Sequence, residues 1–388
     1  MDACINSDTR FVQPNTDRLG LRADAAKRAA SALRETHEGR ALLLTTPGSV
    51  NWRTGGLSNP IDITAASDPV WVLDSDHGSA LITSDIEAPR LERDYRVSDL
   101  GWDVVSAPWY DDDARFSLAC DYAGVSALEL LSDTVGVGKN VRNSVVATRL
   151  TLSAPEQEEL RELGSLVGRA LGAGLDAWTP GMTTDFDTAS AISAALEAEG
   201  ATAVCLIVGG DDRMRALRHP LSVGAVVRDA MMAVVVAKRA GLHIAATRIA
   251  LRNADDDIAT LMKSVASVHD TVVEASLPGG AWGESAEALG AGYEEIGQPD
   301  AWREHYQGGP IGFEQREFEL APGHTDSPFW HLERRAPYAV AWNPSLRGGA
   351  KLEETYLIGD SVELLTRTPG WPLDDGPLGA PRSSIKVL

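Results

Sequence analysis

The chain has 388 residues, a length that predicts two domains rather than one. Hydrophobic residues make up 44% of it and charged residues 23%, which is typical of a soluble globular protein. The 56 acidic and 35 basic residues give a formal net charge of -21. Nucleic acids and anionic membranes are both bound by clustered positive charge, so this balance argues against either as a partner.

Cysteine usage and the first residues predict a cytoplasmic protein. The three cysteines, Cys4, Cys120 and Cys205, are too few and too far apart for a disulfide framework or a zinc knuckle. Residues 1–10 are polar and lack the apolar segment of a secretory signal. No stretch approaches the roughly 18 uninterrupted apolar residues that indicate a membrane span.

The first part of the chain alternates helix and strand signals. We expect a helix followed by a buried strand that ends at a Pro-Gly pair, then a hairpin and one further strand. These elements are predicted at Leu21–Glu38, Ala41–Thr46, Val70–Asp74, Ala80–Thr83 and Trp102–Val105. Together they predict an α/β domain over residues 1–150.

The character of the sequence changes near Pro155, and a second domain is predicted over residues 151–388. Ser153 followed by Pro155 and Glu156 indicates a helix start, because acidic side chains stabilise the positive end of a helix. Further helices are predicted at Thr184–Glu199, Asp255–Ala275 and Gly283–Ile296, and strands at Ala203–Val208, Met231–Ala237, Gly241–Ile249, Tyr338–Trp342 and Tyr356–Leu365. The predicted fold class is therefore α+β.

Several familiar motifs are incomplete. The segment Gly136–Asn140 resembles part of a phosphate loop, but Asp133 and Asn140 stand where Gly and Ser or Thr are needed. The acidic runs Asp111–Asp113 and Asp255–Asp257 lack the spacing of calcium loops, and we interpret them as solvated loop and helix-start charges. No HExxH pair and no GxSxG elbow are present.

The order of the elements and several local strings resemble the creatinase/prolidase/aminopeptidase P superfamily, which has the pita-bread fold. The strings lie at Ala41–Gly55, Pro180–Thr183, His219–Pro220, Ala233–Arg248, His305–Phe313, Ala341–Pro344 and Lys351–Ile358. No one string is diagnostic, but they follow the family order. The resemblance implies an N-terminal creatinase-like domain, a C-terminal pita-bread domain and a homodimer.

Most peptidases of this superfamily hold two metal ions with five side chains, because hard dications need several anionic oxygens. The resemblance places the two Asp ligands at Val234 and Ala245, the His ligand at Gly309 and the two Glu ligands at Asn343 and Glu353. Only Glu353 keeps its family identity. We therefore expect no metal and no other cofactor.

The resemblance also implies which side chains remain for chemistry. His219 falls at the superfamily's substrate-site histidine, and a histidine titrates near neutrality, which suits proton transfer. Glu353 is expected to act as an acid, or to pair with Arg316 or Lys238; the alternative is a vestigial carboxylate held by hydrogen bonds. Arg316 falls at a second substrate histidine, where a guanidinium could bind a carboxylate or phosphate; the alternative is an ion pair with Glu317.

A second group is expected to bind substrate. His305 precedes the altered glycine loop, Asn343 could orient a carbonyl or amide, and Glu317 follows Arg316. Trp52 and Arg53 are included because the N-terminal domain of relatives often closes the pocket of the partner. The alternative for these residues is ordinary structural packing.

Three functions remain open. The first is a metal-independent, creatinase-like enzyme that cleaves a C–N bond, or does related acid/base chemistry, on a small amino-acid-like substrate, with His219 as the general acid or base. The second is a non-catalytic binding or scaffold protein. The third is an Xaa-Pro aminopeptidase or dipeptidase with a rearranged metal site.

Overall fold

The computed structural model describes residues 16–57 and 61–388, so Cys4 and the polar segment 1–10 lie outside the described residues. The chain divides into two compact units, Met1–Arg142 and Asn143–Leu388. The division precedes the expected boundary at residue 150, because the helix at Arg142–Arg149 contributes Val146 to the core of the second unit.

The first unit contains helices and strands in alternation. Its helices are α1 (Thr16–Thr36), α2 (Pro47–Thr54), α3 (Ala88–Arg90) and α4 (Asp112–Ala123), with a π-helical turn at Leu91–Tyr95 and a 3-10 turn at Ala127–Glu129. Its strands are β1 (Ala41–Leu44), β2 (Trp71–Ser75), β3 (Gly78–Ser84), β4 (Asp103–Ala107), β5 (Leu130–Ser132) and β6 (Lys139–Asn140).

These strands form one mixed sheet in the order β4-β3-β2-β1-β5-β6. The predicted hairpin is β2–β3, in which Leu73 pairs with Ala80. One core cluster includes Leu43, Leu73 and Ile82 from the sheet and Ala119 from α4. Successive strand side chains alternate between the faces of a sheet, so each face can carry its own apolar layer.

The second unit is larger. Its helices are α5 (Arg142–Arg149), α6 (Ala154–Asp176), α7 (Asp185–Glu197), α8 (Asp211–Ala216), α9 (Asp256–Glu274) and α10 (Trp282–Glu295), with 3-10 turns at Ala301–Glu304 and Pro377–Gly379. Its strands are β7 (Thr202–Gly210), β8 (Ala230–Arg239), β9 (Leu242–Leu251), β10 (Gly308–Ile311), β11 (Tyr338–Trp342), β12 (Ser345–Leu346), β13 (Ala350–Lys351), β14 (Glu354–Ile358), β15 (Val362–Leu364), β16 (Leu373–Asp375), β17 (Pro381–Ser383) and β18 (Lys386–Val387).

Two four-stranded sheets organise this unit, in the orders β18-β9-β8-β7 and β10-β11-β14-β15. A core of aromatic side chains, with Trp282, Tyr338 and Trp342 in contact with apolar residues of α9 and α10, lies beside the second sheet. A smaller core, which includes Val234 and Ile249, lies against the first sheet. The two sheets bring β9 and β14 into contact, and the candidate site lies along this junction.

The helix starts follow local side-chain chemistry. The Glu156 carboxylate accepts hydrogen bonds from the backbone N–H and the hydroxyl of Ser153, so α6 begins where the sequence predicts. Asp111 and Asp255 cap α4 and α9, each accepting from a backbone N–H three residues on, at 2.8 and 2.9 Å. The helix-start interpretation is thus confirmed for Asp255–Asp257, while Asp111–Asp113 begins a helix, α4, that the sequence did not predict.

One predicted strand was wrong in extent, and one predicted turn proved to be a helix. Tyr356–Leu365 was expected to be one strand, but it turns at Gly359 and forms the hairpin β14–β15. The segment after Pro47 was expected to be a turn and instead forms helix α2, which ends at Gly55 with a left-handed φ of 74°. Proline is compatible with the first turn of a helix, so a Pro-Gly pair can start a helix as well as end a strand. Within the described ranges no helix is long and apolar enough to cross a membrane.

Candidate functional site

A two-stranded ribbon presents the polar side chains of the site. The register between β11 and β14 continues without a shift through β12 and β13, because Trp342 pairs with Glu354 and Ser345 pairs with Lys351. Asn343, Ser345, Lys351 and Glu353 therefore share one face of the ribbon, since side chains alternate along a strand. The turn between β12 and β13 contains Gly348 and Gly349, which have φ of 100° and 101°, values that favour glycine.

The Glu353 carboxylate lies at the centre of this face. One of its oxygens accepts a hydrogen bond from the Thr247 hydroxyl at 2.9 Å, and the other accepts from the Asn343 amide at 3.2 Å. Glu353 is only 4% exposed. Among the described residues it has no ion pair with Arg316 or Lys238, so the expected pairing was wrong: two neutral donors hold the carboxylate.

Two histidines lie next to the ribbon, and they differ in hydrogen bonding. The ring of His305 donates from Nδ1 to the Tyr306 carbonyl, which can only accept, so Nε2 accepts from the Ser345 hydroxyl. Burial, and then the positive charge of Lys351, lower the pKa of His305 to about 3. His305 is therefore neutral at pH 7, and both of its ring nitrogens are engaged.

His219 lies in the loop after α8, with its ring centroid 6.3 Å from that of His305. Burial is the main cause that lowers its pKa; the charges of Lys351, Arg218 and Arg316 lower it further, while Glu353 raises it. Its ring makes no hydrogen bond with any residue of the described ranges. His219 is thus a neutral imidazole at pH 7 with both nitrogens available.

Two arginines bring further positive charge to the site. Arg218 donates to the Ser345 hydroxyl at 3.1 Å and forms an ion pair with Glu304. Arg316 forms an ion pair with Glu319 at 2.8 Å and lies over the Tyr306 ring. The alternative pairing of Arg316 with Glu317 was wrong, because Arg316 donates from Nη1 to Glu319.

The five positions that the resemblance assigned to metal ligands do come together in this unit. Val234 pairs with Thr247 across β8 and β9, Ala245 is hydrogen-bonded to Thr355 of β14, and Gly309 pairs with Ala341 of β11. Val234 and Ala245 offer no donor atom, and Gly309 has no side chain. In the described part of the chain, no group of three or more His, Cys, Asp or Glu side chains is arranged to hold a metal ion.

Glu317 has a structural position. Its carboxylate forms an ion pair with Arg149 at 2.7 Å, with both side chains almost fully buried, and accepts from the Phe313 N–H at 2.7 Å. These contacts join α5 to the loop after β10. The expected substrate contact of Glu317 is therefore corrected to an ion pair that supports this loop.

The two residues of the first unit that were expected to bind substrate, Trp52 and Arg53, lie buried within that unit. Arg53 makes a two-point ion pair with Asp74 at 2.6 and 2.7 Å, donates to Ser79, and lies over the Trp102 ring. Trp52 has a buried side chain. The alternative of structural packing thus describes the observed contacts of Arg53.

Sequence reasoning missed Lys351, Ser345 and Arg218 as members of the site. Lys351 occupies the Arg position of the "R-x-E-D-T" string, so the resemblance contained a signal for it. For Ser345 the signal was the alternation of polar residues around the Gly348–Gly349 turn. Arg218 had no comparable sequence signal, because its contact with Ser345 spans 127 residues of chain.

Solved structures with the same fold cover nearly the whole chain. Dipeptidase PepE from Mycobacterium ulcerans superposes with a TM-score of 0.70 at 17% identity, over 92% of this chain and 98% of that one. X-Pro aminopeptidase from Thermotoga maritima gives 0.68 at 16% identity, over 94% and 99%. The N-terminal domain of the FACT complex subunit SPT16 from Cicer arietinum gives 0.63 at 14% identity, over 92% and 97%.

These likenesses confirm the α+β pita-bread fold that the sequence predicted. At such identities they establish the fold alone, and a shared fold does not fix a function. No protein-family model matches the sequence, and no curated protein matches it.

Proposed function

We propose that this protein is a metal-independent enzyme that performs acid/base chemistry, with C–N bond cleavage as the favoured reaction, on a small amino-acid-like substrate. The observation that carries the proposal is the pair of neighbouring histidines, in which His305 is held by hydrogen bonds and His219 is neutral and available. A neutral imidazole with an unengaged nitrogen can accept a proton from water and return it to a leaving group.

The residues at the former ligand positions do not fit a dinuclear metal centre. Val234, Ala245 and Gly309 supply no ligand atoms, and both oxygens of Glu353 already accept hydrogen bonds. Gly309 also has a φ of 141°, which an L side chain such as histidine rarely adopts. Lys351 adds a positive charge to the same ribbon, which disfavours a second cation nearby.

In the proposed reaction the His219 imidazole takes a proton from a water molecule, and the water oxygen forms a bond to the carbon of the C–N group. The imidazolium then gives this proton to the nitrogen as the C–N bond breaks, so the amine leaves in neutral form. Glu353 and Asn343 form no hydrogen bond with either histidine ring, and we assign them to substrate orientation. The substrate binds as a small molecule, and the homodimer expected from the resemblance remains a prediction.

The first test combines metal analysis with turnover. Protein purified without chelator is analysed by elemental mass spectrometry and then incubated with N-acetyl, N-carbamoyl and N-amidino amino acids, with NMR detection of amine release. We expect no stoichiometric metal and turnover of one class of substrate. His219→Ala should reduce turnover by at least two orders of magnitude, while its circular dichroism and the activity of the matched surface variant His324→Ala remain unchanged.

Two results would contradict the proposal. About two equivalents of Mn, Co, Zn or Fe per chain, with activity lost on their removal, would favour the rearranged metallopeptidase. Full activity in His219→Ala would remove this residue from the reaction.

A second candidate is a non-catalytic binding protein. It is favoured by the likeness to the N-terminal domain of SPT16, a subunit of the FACT complex. That domain matches 92% of this chain. Absence of turnover for the whole panel, together with a stable protein partner that co-purifies with the chain, would favour this candidate.

A further inference from the structure

Two polar atoms on the ribbon face lack a partner. The first is the ammonium of Lys351, whose residue is only 5% exposed and which forms no hydrogen bond or ion pair with any residue in 16–57 or 61–388. The second is the side-chain oxygen of Asn343, which is buried and has no hydrogen-bond donor in the same ranges. A buried polar atom is costly unless it is hydrogen-bonded, so the Asn343 oxygen indicates a missing partner. The ammonium of Lys351 adds an unpaired positive charge on the same face.

The neighbouring carboxylates do not supply a partner for Lys351. Both oxygens of Glu353 accept hydrogen bonds from neutral donors. Glu304 and Glu319 form ion pairs with arginines. Within the described residues Lys351 is therefore a cation without a paired anion, and these three carboxylates are engaged by other groups.

The orientation of the Asn343 amide follows from chemistry. A carboxylate only accepts hydrogen bonds, so the NH2 group of Asn343 must face Glu353 at 3.2 Å. The carbonyl oxygen of the amide then points away from Glu353 and needs a donor. A ligand that satisfies the site has to bring that donor.

The two atoms belong to one binding site. The register set by Trp342–Glu354 and Ser345–Lys351 places Asn343 opposite Glu353. Asn343 and Lys351 are therefore diagonal neighbours on the same face, about 7–8 Å apart at the backbone. Lys351 is also close to the histidines, since its charge is the second cause, after burial, that lowers the pKa of His219 and His305.

We propose that Lys351 and Asn343 together bind a small anion that carries an N–H or O–H donor next to its charged group. The anionic oxygens pair with the ammonium of Lys351, and the donor satisfies the carbonyl oxygen of Asn343. This inference deepens the proposed function, on which it rests for the idea that the ligand is a substrate. It concerns binding alone, so binding without turnover would leave it intact while the proposed reaction failed.

The test is calorimetric titration of the full chain with matched probes. N-Acetylglycine carries a carboxylate and an N–H, acetoxyacetate keeps the carboxylate but has an oxygen in place of the N–H, and N-acetylglycinamide lacks the charge. Inorganic phosphate offers both an anionic oxygen and an O–H, so it distinguishes a phosphate ligand from a carboxylate ligand. We expect the wild type to bind N-acetylglycine or phosphate at least tenfold more tightly than the two deficient probes.

The variants locate the binding. Lys351→Met should weaken binding at least tenfold, Lys351→Arg should retain most of it, and the exposed-lysine control Lys27→Met should not change it. Asn343→Leu also removes a donor to Glu353, so the readout there is the ratio of affinities: the preference for N-acetylglycine over acetoxyacetate should disappear. Asn253→Leu is the exposed control.

A stability measurement gives an independent readout that needs no ligand. Because Lys351 forms no hydrogen bond or ion pair within the described residues, Lys351→Met should keep or raise the Tm of the wild type in probe-free buffer. A marked fall in Tm would mean that Lys351 has a partner within the fold, and would overturn the inference. Unchanged affinity in Lys351→Met, or no binding of N-acetylglycine and phosphate by the wild type, would overturn it as well.

Discussion

The Arg149–Glu317 pair shows how burial decides the role of a single residue. Glu317 follows Arg316 in sequence, and adjacency to a candidate site residue suggested a substrate contact. In the fold, its carboxylate turns to Arg149, and side-chain exposure is 2% for Arg149 and 1% for Glu317. A charge so deeply buried depends on its partner, because solvation by water is lost.

We predict that Glu317→Gln lowers the free energy of unfolding by roughly 3–5 kcal/mol, because it removes the carboxylate 2.7 Å from the buried Arg149 guanidinium and leaves the Glu314 carboxylate only at 3.9 Å. Urea denaturation followed by circular dichroism measures this change. Glu333→Gln, which alters the exposed pair with Arg335, should change stability by only about 0–1 kcal/mol. Normal stability with lost ligand affinity in Glu317→Gln would restore the substrate role.

Strand β9 carries groups for both the fold and the site. Thr247 holds Glu353, whereas His243, four residues earlier on the same strand, donates from its ring to the Gly312 carbonyl at 3.0 Å. Burial lowers the pKa of His243 to about 3, and the charges of Lys238 and Arg149 act in the same direction. This histidine is thus buried in the neutral form.

We predict that His243 makes the protein sensitive to mild acid. As pH falls below 6.5 the unfolded chain takes up a proton at this position, whereas the folded chain does not until about pH 3. Stability is therefore complete above pH 6.5 and is lost as pH falls, at about 1.4 kcal/mol per pH unit for this proton.

The measurement is denaturant unfolding at a series of pH values between 6.5 and 5, a window above the titration of ordinary carboxylates. Gln at position 243 keeps a donor for the Gly312 carbonyl but does not titrate. The slope of the unfolding free energy against pH should therefore be smaller in His243→Gln, by up to about 1.4 kcal/mol per pH unit. Equal slopes in the two proteins would show that His243 is not the group responsible.

At the scale of the whole molecule, the excess of acidic side chains sets the response to salt. The chain has a net charge of -21. Several of its ion pairs, such as Arg149–Glu317 and Arg53–Asp74, are buried. Salt screens exposed charges much more than buried pairs. Its main effect should therefore be to relieve repulsion among surface carboxylates.

We predict that the Tm rises by a few degrees when NaCl is raised from about 10 mM to about 0.3 M, over which the screening length falls severalfold. Differential scanning calorimetry checks this. The same scan on Lys351→Met separates general screening from anion binding at the proposed site, because only screening remains in the variant. A Tm that falls with salt would mean that surface ion pairs outweigh the repulsion.

The sequence alone predicted the α+β pita-bread fold and the longest helices and strands. It did so because apolar periodicity, helix caps and short family strings are local, as with Ser153 at the start of α6. It also indicated that Val234, Ala245 and Gly309 carry no ligand atoms. It did not reveal the hairpin turn at Gly359 or helix α2, where the same Pro and Gly residues suit more than one local structure.

Only the tertiary structure decided which polar residues share the site. The pairings of Thr247 with Glu353 and of Arg218 with Ser345 join positions more than 100 residues apart. No local pattern encodes such contacts, since they depend on how two sheets meet. The same packing directs Glu317 to Arg149 and leaves Lys351 without a carboxylate. The sequence named the residue types available for chemistry, and the fold chose among them by burial and by distance.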